Sequence, residues 1–205
     1  PSTFAHKVFG DIILKKLPAD IHPGGQRLQM YMIGLHGPDI LFYYKGLTQN
    51  RVNSVGFSQH SKPAKEFFEP AAQLFQSLDS RAKRELSRAY LIGFICHFVL
   101  DSACHGYIEK KIQVSGVPHT EIETEFDRSL MEERGLDPLR QNLTGHIIPS
   151  MANARAIAPF FPTLTADDVF EALNSMIFYN RVLIAPGSLK RSAVHRLLHA
   201  TGNYD

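Results

Sequence analysis

Three polar side chains, His97, Asp101 and His105, stand at four-residue intervals inside CHFVLDSACHGYIE, a stretch that is otherwise largely apolar. That spacing constrains the fold more than any other feature of the chain. A helix turns by about 100° per residue, so positions i, i+4 and i+8 drift only slowly around the axis and share one face. The neighbours Phe94, Phe98 and Leu100 are apolar, which points this face inward. A buried carboxylate is costly unless it is paired or bound to a cation. A second set, His119 and Glu123, follows in PHTEIETEF, again at i, i+4. Imidazole and carboxylate at that spacing can grip one metal ion between adjacent turns. Any single pair of this kind is more often a hydrogen-bonded core histidine or a salt bridge. Two sets within 27 residues, one of them inside an apolar helix, favour metal. Glu121 and Glu125 read as a solvated face.

The rest of the chain repeats the helical period. Phe9, Ile12, Ile13 and Lys16–Leu17 fit a first amphipathic helix, and LPADIHPGG is turn material. A second helix is expected over about 25–34, ending near Gly34. GLHGPDILFYYKGL reads as an ordered loop, and 46–62 as irregular and polar. A helix begins after Pro63 with Phe67, Phe68, Ala71 and Phe75 on one face. Asp79 or Ser80 can cap a long helix over 80–109, and another is expected from Thr120 to Glu133. Residues 138–158, 165–184 and 188–201 have helical spacing, with Asp167 and Asp168 in a first turn, where carboxylates suit the helix dipole. No alternating strand, repeat, low-complexity tract or linker is visible. The expectation is one all-α, single-domain helical bundle spanning 1–205.

Charge and cysteine narrow the function classes. Lys and Arg number 22 against 20 acids, a near balance that argues against a dedicated nucleic-acid scaffold. Cys96 and Cys104 would sit roughly 12 Å apart along one helix, too far for a disulfide. The opening PSTFAHKVFGDIILKKL lacks a continuous apolar core before a cleavage site, so no signal peptide is read. The run AYLIGFICHFVL is too short to span a bilayer and is broken by Gly93 and His97. A soluble, cytoplasmic protein with no transmembrane segment is expected.

YLIGFICHFVLDSACHGYIE followed by HTEIETEFDRSL, with GLHGPDILFYY and His6 upstream, resembles the bacterial zinc-dependent phospholipase C family, which shares an all-α fold with S1/P1-type zinc nucleases. The resemblance spans about residues 1–130, and its specificity lies in the order of the pieces together. It implies that Asp39, His60, His97 and Asp101 hold a first zinc and that His105, His119 and Glu123 hold a second. It also implies that Asp101 bridges to a third, completed by His6 and the Pro1 amine. Two metals about 3.5–4 Å apart suit in-line attack on phosphorus by a shared hydroxide. Asp101 would be the bridge, and Asp39 could orient that hydroxide or accept its proton. Secreted members begin with a tryptophan, whereas this chain has no tryptophan and starts with Pro1.

The resulting expectation is a zinc-dependent phosphodiester hydrolase acting on a phospholipid or a small phosphodiester, with two or three zinc ions. The alternatives are a single-strand nuclease, which would want aromatic platforms and a basic groove that the sequence does not display, and a non-catalytic zinc protein. No stable nucleic-acid complex is expected. The absence of a His-Asp dipeptide disfavours an HD-type phosphohydrolase. His36 reads as a turn histidine, with a place beside the metal as the alternative. His195 and His199 read as a helix face, and His22 and His146 as loop residues. FYYKG and PFFP are candidate lipid-contacting rims, with core packing the better reading for the first.

Overall fold

A computed structural model describes residues 1–200; positions 201–205, including the expected end of the last helix, lie outside the described residues. The architecture is all-α, with no strand among the described residues. Helices run α1 (Thr3–Leu14), α2 (Gln26–Gly34), α3 (Arg51–His60), α4 (Ala64–Ser77), α5 (Arg81–Ser115), α6 (His119–Glu133), α7 (Met151–Ile157), α8 (Ala166–Leu183) and α9 (Ser188–Ala200). Two 3₁₀ segments, Gly37–Tyr43 and Ala158–Phe160, complete the set.

The central element is α5, 35 residues long and closed by Gly116 in a left-handed conformation whose N–H bonds the Ile112 carbonyl at 2.8 Å. Taken whole, α5 is long and apolar enough to cross a bilayer by length and composition, unlike the shorter run considered in the sequence. Here it serves as the axis of the bundle, flanked by α1, α2, α4, α6 and α7. Its most extensive partner is α2, and glycines make that approach possible. A Cβ on Gly93 would lie 2.2 Å from the Tyr31 carbonyl oxygen, and one on Gly34 would lie 2.3 Å from that of Tyr90. Tyr31, Ile33, Tyr90 and Phe94 are buried around this crossing, and Phe94 stacks on Phe67 of α4 at 3.9 Å. The core continues through Phe160, Phe161, Leu173 and Met176, so PFFP is core rather than rim.

Four local expectations change. The first helix starts at Thr3, well before Phe9, and ends at Leu14. GPDILFY is a 3₁₀ helix with Ile40 and Leu41 fully buried. Residues 51–60 are helix, because Asn50 and Asn53 form a reciprocal capping box. The Asn50 side chain accepts from the Val52 and Asn53 amides, and Asn53 Oδ1 accepts from Asn50 N at 2.8 Å. Arg51 Nη2 also donates to both carboxylate oxygens of Asp168 at 2.7 and 2.8 Å, fastening the start of α3 to α8. Finally, most of 138–150 is turn, and helix begins only at Met151, where Ser150 caps Asn153 N. Pro149 and the Asn142–Thr144 side-chain bond divert the backbone before that point.

Candidate metal centre

One face of α5 presents His97 and Asp101, both buried, and the half-buried His105. Four elements bring partners to that face. α1 carries His6, the 3₁₀ segment carries Asp39, α3 ends in His60, and α6 opens with His119 and carries Glu123 one turn later. The helical i, i+4 spacing thus supplies two half-sites, and the tertiary fold joins them.

Asp101 lies at the middle. Its Oδ2 is 3.2 Å from both His97 Nε2 and His60 Nε2, and its Oδ1 is 3.2 Å from His6 Nε2. Asp39 Oδ1 stands 3.8 Å from His97 Nε2. On the other side, Glu123 Oε1 is 2.9 Å from His119 Nε2 and 4.0 Å from His105 Nε2. Ligand atoms lie within 4.8 Å of one another in four trios: His6, His97 and Asp101; Asp39, His60 and His97; His60, Asp101 and His105; His105, His119 and Glu123. The Pro1 nitrogen sits between the two sets, 2.7 Å from Glu123 Oε1 and 3.7 Å from Asp101 Oδ1. All nine positions singled out in the sequence therefore converge. The difference is that the Pro1 nitrogen leans toward Glu123 rather than toward Asp101 and His6.

The donor set suits a cation. His6 Nε2, Asp39 Oδ1, Asp101 Oδ1 and His105 Nε2 are buried without a hydrogen-bond partner. His6 Nε2 and Asp101 Oδ1 are close but not aligned to bond each other. Orphaned buried polar atoms cost stability, and a divalent ion among them would satisfy several at once. Nitrogen and carboxylate donors without thiolate match zinc.

The electrostatics divide the ligands, because a cation must displace protons from some of them and not from others. Burial opposes ionisation of Asp101, but the imidazoles of His6, His60 and His97 overcome it and hold the carboxyl far below the usual range. Burial lowers His6 to about 4 and lowers His105, leaving both rings neutral at pH 7, the form that binds metal. His60 is raised by its contact with Asp101; His97 is raised because Asp39 and Asp101 outweigh burial. Burial pushes Asp39 up to about 6. Glu123 is opposed by burial but held low by the Pro1 amine and His119.

Four of these ligands, His60, His97, Asp101 and His105, line a recess of about 90 Å³ together with Phe68 and Phe98. Gly37, at φ 48°, lets the chain pass the His97 ring: a Cβ there would meet His97 Cδ2 at 2.4 Å. His36 and His146, read separately as turn and loop residues, pair at 2.7 Å between their Nε2 atoms, and His36 is fully buried. One ring donates to the other, so His36 braces the turn ahead of Asp39. His195 and His199 face each other on α9, with ring centroids 4.6 Å apart, and belong to none of these trios.

Asp127 is the functional residue that sequence reasoning missed. It is buried on α6, and its Oδ2 and Oδ1 accept the Phe4 and Ala5 amides at 2.7 and 2.9 Å. Ser2 makes no side-chain cap, so a residue from another helix does the capping. This anchor holds the first turn of α1, and with it Pro1 and His6, against the cluster. Replacing Asp127 by Ala is expected to cost about 1–2 kcal/mol as a lost cap, lowering the melting point by roughly 2–8 °C. Zinc titration should show weakened occupancy at the His6 position with the His105–His119–Glu123 position retained. Unchanged zinc stoichiometry and melting would remove the anchoring role.

A family model described as zinc-dependent phospholipase C matches residues 5–165, a span that holds every convergent residue except Pro1 and reaches beyond the region of motif resemblance. No curated protein and no solved structure gives a significant match.

Proposed function

We propose, from the premise that this chain belongs to the zinc-dependent phospholipase C family, that it is a zinc-dependent phosphoric diester hydrolase acting on a phospholipid or a smaller phosphodiester. The observation that carries this reading is the convergence of three imidazole nitrogens, each at 3.2 Å, on the two oxygens of Asp101, beside the separate His105–His119–Glu123 set.

In this reading Asp39, His60, His97 and Asp101 would hold one ion, and His105, His119 and Glu123 would hold a second. His6 and Asp101 contribute to a third, which the Pro1 amine completes when Pro1 is the first residue. Zinc, when bound, supplies Lewis acidity toward the phosphate oxygens and makes a nucleophile of water near neutral pH. The side chains do the remaining work. Asp101 belongs to two of the ligand trios and would serve both. Asp39, whose Oδ1 is buried and unpartnered, would orient the attacking water and take its proton. The Pro1 amine is raised by Glu123, which outweighs the lowering from burial, so it must release a proton to become a ligand.

The test combines metal and substrate. Elemental analysis of protein expressed with added zinc should find two or three zinc per chain; none would sink the proposal. A chromogenic phosphodiester, a phosphatidylcholine dispersion and single-stranded DNA, assayed in parallel, should show turnover of the first or second that a chelator abolishes and zinc restores. Hydrolysis of DNA alone would replace this reading with a nuclease.

A further inference from the structure

A second cavity opens beside the metal-ligand cluster, on the side away from the Phe68–Phe98 recess. Its volume is about 160 Å³, and Ala103, Tyr107 and Ile108 of α5 form one wall, with Ile122 and Phe126 of α6 opposite. Pro1 and Glu123 also border it, so the cavity adjoins the cluster itself. Tyr107 and Phe126 are 66% and 43% exposed, so the apolar lining reaches the solvent. Glu123 is its one carboxylate, and that group is turned to Pro1 and His119. The space between α5 and α6 is therefore largely apolar, open to solvent at Tyr107 and bordered by Pro1 and Glu123 on the side of the metal ligands.

We infer that this cavity binds a short alkyl or aryl ester group of the substrate, seating it next to the phosphorus. The inference rests on the phosphodiester reading and adds a chain-length preference to it. An apolar cavity of about 150 Å³ holds a molecule the size of benzene, so the group accommodated has about six carbon atoms. Ala103 lines the cavity. It is exposed on α5, two positions from Asp101 and on a different side of the helix, and a larger side chain there fills the cavity without touching a ligand atom.

The experiment is calorimetric titration of the zinc-loaded full chain with methyl-, butyl-, hexyl- and octylphosphonate. Burial of each methylene is worth close to a four-fold gain in affinity, so the series should climb about four-fold per carbon to hexyl and then flatten. Ala103→Leu should bind methylphosphonate as the parent does and lose the climb, with its circular dichroism unchanged. If methyl- and hexylphosphonate bind equally to the parent, the cavity is not a subsite, while the metal site stands. Affinity that keeps climbing through octyl also overturns the inference, because the chain would then lie along the outside of α5, as a lipid tail at a surface would. If no phosphonate binds the zinc-loaded protein, the phosphodiester reading fails first.

Discussion

Asp101→Asn is expected to remove metal and activity together. The substitution keeps shape and volume but removes the charge on which His6, His60 and His97 converge at 3.2 Å. An amide offers one neutral oxygen, and its NH₂ group would point at an imidazole that must present a lone pair to the ion. Two ligand trios contain Asp101, so more than one ion should weaken at once. Turnover of a chromogenic phosphodiester should fall by more than about 10³-fold, since even a single lost charge-stabilising donor costs about 10²–10³. The His105–His119–Glu123 trio does not contain Asp101 and should retain one zinc by elemental analysis. A variant that keeps its full zinc content and loses only a few-fold in rate would show that Asp101 is not shared. Because the imidazoles of His6, His60 and His97 hold Asp101 ionised in the parent, the amide also loses that stabilisation, so circular dichroism and a melting curve of the variant separate loss of metal from loss of fold.

What was legible in the sequence was whatever depends on local spacing. His97, Asp101 and His105 declare themselves because one helix repeats every 3.6 residues or so, and His119 with Glu123 does so for the same reason. The all-α class followed from the same periodicity. The resemblance then united Asp39, His60 and His6 with them, which no local pattern could do. Residues 51–60 hid because their start is marked by Asn at both ends of the capping box instead of the usual Ser or Thr with Glu, and because polar residues dilute the apolar period. Asp127 hid because its bonds join positions 122 and 123 residues apart; in sequence it is one more acid on an acidic helix. The only signal for it was negative: Ser2 starts a helix that lacks acids in its first turn. His36 and His146 are 110 residues apart and give no local sign of pairing.

Gly93→Ala should show that the metal site depends on how closely two helices approach. A methyl at Gly93 would sit 2.2 Å from the Tyr31 carbonyl oxygen and 3.0 Å from Gly34 Cα. Both are backbone atoms, so no side-chain rotation relieves the clash and α2 must move away from α5. Overpacking of a core costs about 1–3 kcal/mol when side chains can adjust, and a rigid backbone contact places this variant at or above the upper figure. The melting point should fall by roughly 6–12 °C. Gly106→Ala on the same helix is the matched control. A methyl added at Gly106 would meet nothing within 4 Å, and the change from glycine to alanine inside a helix should stabilise by about 0.5–1 kcal/mol. The two substitutions are chemically identical and differ only in what faces them. Because α2 leads directly into the 3₁₀ segment that carries Asp39, its displacement should also carry Asp39 away from His97, now 3.8 Å distant. Gly93→Ala is thus expected to bind zinc more weakly even at temperatures where it remains folded, whereas Gly106→Ala should bind it as the parent does. Equal melting of the two variants would mean that the helices do not cross at these glycines, and would take with it the account of how α5 and the Asp39 segment are held together.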